Sequence, residues 1–222
     1  MITALSVAVF QYWGKSEYRA AAVSDAGWTQ TQWGPLGPAD RDLLVKVRQA
    51  GLWEVPTGRD AAQRARSVRV QEVGRLIAAE HADLDARVRE VSARLGVVLP
   101  NQPSAQQQGW IAEIAGESGP EFDRTFVQRL RAAHGKVLPV ISQVRSGTRN
   151  DLVRAFAATS AQFVTRHHEY LESTGLVDYS ALPEPPAPAA APAAAAPPAA
   201  PPAAAAASPV AVAPAAADHG QH

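Results

Sequence analysis

One pattern constrains this chain above all others. From residue 37 to residue 178 the apolar residues return at steps of three and four, and strand-type alternation is missing. That period places them on one face of a helix. The starts are marked. Pro38 stands at a first helical position with Asp40 close behind, Ser67 opens a second stretch, and Ser104-x-x-Gln107 and Ser118-x-x-Glu121 are capping boxes, with Thr148-x-x-Asp151 a weaker version. Gly96, Gly116, the Ser146-Gly147 pair and Gly175 mark the stops. The spacing therefore predicts long helices near 38–65, 68–95, 119–145 and 148–174, with a short one near 104–116. Links as short as 66–67 and 146–147 make antiparallel neighbours. The expectation is an all-α, up-down four-helix bundle with an extra helix between the second and third long ones. Pro56 and Pro139 fall inside predicted helices and should kink or break them.

Each apolar stripe carries one ionisable residue. In the first helix it runs Leu43, Val47, Ala50, Glu54, Gly58, Ala61, and in the second Val73, Ile77, His81, Leu84, Val88. In the third long helix it runs Phe122, Phe126, Leu130, His134, Val137, Ile141, and in the last Leu152, Phe156, Phe163, His167, Tyr170. Glu54 and His81 lie about 20 Å along the axis from the turn at Ser67, and His134 lies about as far from Gly147. These three share a layer. Counted from the same glycine, His167 falls about 10 Å deeper, unless the last helix is shifted.

A carboxylate and imidazoles at one level suit zinc, iron, manganese or copper, and bundle cores commonly hold such sites. The usual two-metal pattern, Glu-x-x-His on two helices, is absent. Glu80 adjoins His81 and is turned about 100° away. His168 and Glu169 leave the stripe and read as surface residues. The other reading of Glu54, His81 and His134 is a hydrogen-bonded network that sets helix register. With a single Met there is no copper-type Met cluster, and no phosphate loop or nucleophile elbow appears.

The flanks differ from the middle. Residues 1–13 begin with the apolar "ITALSVAVF", too short to span a bilayer, followed by Phe10, Tyr12 and Trp13 and then Lys15. Two readings stand: a short buried or frayed segment, or the remnant of a signal anchor, which the order of aromatic residues and then charge favours. Residues 14–36 are polar around Trp28 and Trp33: a linker, or an ordered strap if the rings dock. Residues 179–222 are a tail, almost only Ala and Pro between Pro183 and Ala217, expected to be disordered and extended. The ending "DHGQH" is a weak metal signal. With Lys plus Arg and Asp plus Glu at 21 each, nucleic acid is a poor partner. No cysteine is present, which excludes disulfides and zinc-thiolate sites.

The runs "ADRDLLVKVRQAGLWEVPTGRDAAQRA", "IAAEHADLDARVREVSARLGVVLP", "EFDRTFVQRLRAAHGKVL" and "VTRHHEYLE" resemble, in order, the domain-of-unknown-function family DUF4142. The likeness covers about residues 38–176. It implies a ferritin-like four-helix fold, export, and recurring polar positions that fall here on Glu54, His81, His134 and His167. Family members are often labelled predicted outer-membrane proteins, and the likeness implies no established activity. The Ala/Pro tail is this chain's own addition.

The expectation is an exported helical-bundle protein, anchored in the cell envelope or secreted, and a binding protein before an enzyme. It binds a transition-metal ion or small ligand at Glu54, His81, His134 and His167. One alternative is a ferritin-like metal-dependent oxidase or peroxidase. Another is a structural module whose Ala/Pro arm contacts the cell wall.

Overall fold

The computed structural model describes residues 27–184, so the expectations for the apolar N-terminal segment and for the tail beyond Glu184 lie outside the described residues. Within them the chain is all-helical. Helix α1 spans Pro38–Arg64, α2 Val68–Leu95, α3 Ala105–Gly116, α4 Gly119–Gly147 and α5 Asp151–Glu172, followed by a 3-10 turn at Tyr179–Ala181. No β-strand occurs among the described residues; an isolated antiparallel bridge joins Thr29 to Leu36.

Several starts and stops follow from side-chain chemistry. The Asp40 carboxylate accepts from the Gly37 N–H at 2.8 Å, next to Pro38. Ser104 and Gln107 form their reciprocal capping box. Gly96 takes φ +66°, the left-handed conformation that ends α2 at least cost. Asp123 of α4 is buried and accepts from the N–H groups of Arg66 and Ser67 at 3.0 and 2.7 Å, so α4 clamps the entry to α2.

Two local expectations need correction, and a third is narrowed. Ser118 makes no capping bond; α4 begins with Gly119-Pro120. The link before α5 is 148–150, and Asn150 rather than Thr148 caps α5, its Oδ1 accepting from the Val153 N–H at 3.2 Å. Neither Pro56 nor Pro139 breaks its helix. Both prolines are exposed, so the backbone bonds they remove, to the carbonyls of Leu52 and Gly135, are lost on the outer faces of the helices.

The segment before α1 is not a free linker from residue 27 onward. Leu36 is fully buried and Trp33 packs on the core. Asn150 donates through Nδ2 to Thr31 Oγ1 and the Gly34 carbonyl, and the Asp151 N–H donates to the Trp33 carbonyl at 2.9 Å. Residues 27–36 are thus a strap docked on the α4–α5 turn, because the Trp rings and Leu36 find apolar cover there. The end of the bundle is tied down as well. Asp178 exchanges two hydrogen bonds with Gln128, and Tyr179–Ala181 still forms a turn.

Helix α1 packs on α2, α2 on α5, α5 on α4 and α4 on α1, while α3 leans on α4 and α1. Two apolar clusters fill the interior. One holds Leu43, Val47, Leu84, Val88, Ile141, Val153 and Phe163. The other holds Trp53, Ile77, Ile114, Phe122, Phe126, Leu130 and Leu171. On every long helix the change from one cluster to the other falls beside the ionisable residue of its stripe. A polar layer therefore divides the core.

Candidate functional site

That layer gathers all four residues singled out by periodicity. Glu54, His81, His134 and His167 are each at most 4% exposed. Glu54 Oε2 lies 2.9 Å from His81 Nε2 and 3.4 Å from His134 Nε2. His134 Nε2 lies 2.9 Å from His167 Nδ1. One nitrogen from each of the three histidines falls within 4.8 Å of the others.

His167 is therefore not 10 Å deeper than His134. Residues 148–150 are not helical and add no helical rise, because α5 begins at Asp151. Measured from the true helix ends, the two differ by three residues, about 4.5 Å of rise. The reach of two imidazoles closes that gap.

Sequence reasoning missed Glu80. Its carboxylate turns toward α5, where His167 Nε2 donates to Oε2 at 3.1 Å and Tyr170 Oη donates to Oε1 at 3.1 Å. Arg166 adds two more bonds. No spacing on α2 flags this role. The cue stood on α5, where Arg166 and Tyr170 lie four apart and flank His167. His168 is not a plain surface residue either. It is half-buried, and its Nε2 is buried without a partner. Burial first, then the charge of Arg131, push its pKa down to about 4. Glu169 is exposed, as expected.

The hydrogen bonds at the edge of the cluster determine where its protons are. His134 Nδ1 lies 2.8 Å from the Leu130 carbonyl, which can only accept, so the proton sits on Nδ1. His167 Nε2 faces the Glu80 carboxylate, so its proton sits on Nε2. Burial holds both imidazoles below their usual pKa. For His134 the nearby Glu54 pulls the other way without prevailing; for His167 the other two histidines add to the lowering. Both rings are neutral, and each has one proton already directed elsewhere. His134 Nε2 and His167 Nδ1 thus confront each other as bare lone pairs at 2.9 Å.

Glu54 adds a further acceptor. Burial by itself would raise its pKa, but His81 and His134 outweigh that and hold it low. Glu54 Oε2 and His81 Nε2 stand at hydrogen-bond distance yet out of line, so both remain unsatisfied, as does His81 Nδ1. Buried polar atoms are normally paired, and three converging acceptors, Glu54 Oε2, His134 Nε2 and His167 Nδ1, call for a cation.

The residues fit a metal ion in three respects. Divalent first-row ions hold nitrogen and oxygen donors at about 2.0–2.2 Å, which puts adjacent donors about 2.8–3.6 Å apart, from octahedral to tetrahedral geometry. The spacings of 2.9, 3.4 and 2.9 Å lie near that edge length, while the wider spread of the histidine nitrogens, up to 4.8 Å, requires the rings to draw together around an ion. Three imidazoles and a carboxylate suit zinc, iron or manganese. The outward nitrogens of His134 and His167 meet a backbone carbonyl and a carboxylate, the partners that orient metal-binding histidines.

A family model described as "Domain of unknown function (DUF4142)" matches residues 28–174, a span that includes nearly all of the docked strap as well as the whole cluster. No curated protein and no solved structure matches the chain.

Proposed function

The chain belongs to the DUF4142 family, whose description assigns no activity, and we propose from the site itself that the protein binds one transition-metal ion in its core. Glu54, His81, His134 and His167 are its ligands. The observation that carries this reading is the pair of bare nitrogens, His134 Nε2 and His167 Nδ1, 2.9 Å apart. Glu80 keeps the His167 proton on the far nitrogen, and the Leu130 carbonyl does the same for His134. When bound, the ion supplies Lewis-acid or redox chemistry according to its identity. Glu80 belongs to the outer shell, so a two-metal oxidase centre is disfavoured.

The ring of long-helix contacts supports an up-down bundle of ferritin type. We also propose that the protein works in the cell envelope after export, on the strength of the apolar residues 1–13 and the Ala/Pro tail. Among the described residues no helix is long and apolar enough to cross a membrane. Fractionation of cells with an antibody to the native protein tests this location; recovery from the cytosol alone sinks it.

A second reading keeps the same geometry. The 2.9 Å spacing also suits one extra proton shared between the two rings, in a network that only sets helix register. Metal analysis of protein purified without a His tag separates the two. After exposure to iron, zinc, manganese and copper in turn, about one ion per chain is expected for at least one metal, and none for His134→Ala. No uptake of any of the four by folded protein removes the metal reading.

A further inference from the structure

Beside the buried layer a cleft opens between α1, α3 and α4, with a cavity volume of about 190 Å³. Roughly 150 Å³ is enough to hold benzene. Its inner wall is apolar, formed by Trp110 and Val137, with the buried Trp53 backing Trp110 at 5.3 Å between ring centres. Its rim carries two lysines. Lys46 is paired with Asp42 at 2.6 Å, whereas Lys136, exposed on α4, has no carboxylate partner among the described residues. At its inner end the cleft reaches Glu54, the site's carboxylate, whose side chain keeps 5% of its surface exposed.

The short helix α3 makes sense in this light. It buries only Ile114, so it contributes little to the core. Trp110, Ile114 and a two-bond ion pair from Glu113 to Arg129 hold its second half. Its first half lies along the cleft, presenting Gln107 to it. An apolar interior with a few polar groups at its mouth is the usual make-up of a small-molecule site.

We propose that this cleft takes a small organic anion with a flat apolar body, its carboxylate at Lys136 and its ring against Trp110, on the Glu54 side of the buried site. The proposal deepens the metal reading and rests on it only for what lies beyond the cleft's inner end. An unpaired ammonium at an apolar mouth selects anions over cations of the same shape.

Benzoate is the probe, with benzylamine as its charge-reversed counterpart. Both are titrated into the full-length protein, metal-free and zinc-exposed, by calorimetry and ligand-observed NMR, with metal content measured on the same samples. Saturable millimolar binding of benzoate is expected, with benzylamine at least tenfold weaker. Lys136→Glu should weaken benzoate at least fivefold, and Ala50→Phe, which fills the cleft from α1, should abolish binding while leaving the helical spectrum and melting intact. Absence of saturable benzoate binding overturns the proposal. Equal binding of the two probes, or benzoate binding unchanged in both variants, overturns it as well. Benzoate bound by protein that takes up no metal leaves the cleft standing and removes only the metal reading.

Discussion

Two neutral imidazoles face each other in the core because each directs its one proton away from the other. Glu80 is therefore as telling as the ligands themselves. Glu80→Gln lets the amide donate to His167 and frees the ring to change tautomer. Metal affinity should fall about 10–100-fold, the usual loss for an outer-shell partner, as read by competition with a chelator. The same neutral rings set the response to acid. His134, His167 and His168 have folded pKa values below their ordinary 6.5, so the unfolded chain binds more protons below that pH. Stability is complete above about pH 6.5 and falls as pH drops toward the folded values, by at most about 1.4 kcal/mol per pH unit for each ring. His168 contributes less, being half-exposed, and its share ends near pH 4. Glu54, whose pKa is lowered, adds stability above its ordinary 4.5 that is lost only at still lower pH. Melting temperatures of the metal-free protein at pH 7.5, 6.0 and 5.0 should fall in that order; a flat profile contradicts neutral rings in the folded state.

At the scale of elements, helix ends and crossings decide whether the layer assembles. Asp123 ties α4 to the start of α2 through two backbone N–H groups. Asp123→Ala leaves both donors without their acceptor and should cost about 1–3 kcal/mol, measured by urea unfolding. Helices α1 and α2 cross at Gly58 and Gly74. A Cβ on either would stand 2.7 or 2.6 Å from the other's carbonyl oxygen. Gly74→Ala must push the helices apart, costing about 1–3 kcal/mol, and it should weaken metal binding too, since His81 and Glu54 ride on these helices. Unchanged melting in this variant contradicts so close a crossing. The prolines teach the opposite lesson. A proline on an exposed helical face loses a hydrogen bond without losing the helix, because water takes the freed carbonyl.

On the scale of the whole molecule, a polar layer between two apolar clusters is a poor choice for stability alone. Replacing Glu54, His81, His134 and His167 together by leucine should leave the metal-free protein folded, with melting unchanged or raised, while abolishing metal uptake. A large loss of stability would mean that the layer exists to hold the fold. The helical period, the five helices and the four inward polar residues were legible from sequence, because a step of three or four residues fixes which way a side chain points relative to its own helix. The position of His167, the role of Glu80, the docking of residues 27–36 and the proton arrangement were not. Each depends on how one helix is set against another: where 148–150 stop being helical, which face of α2 meets α5, which turn receives the Trp rings. Periodicity carries direction within an element, and contacts between elements arise only when packing chooses a register and an offset. The sequence alone determined that four ionisable side chains point inward; the tertiary structure alone decided that their lone pairs meet, because a few ångströms of axial shift lie below what residue counting can resolve.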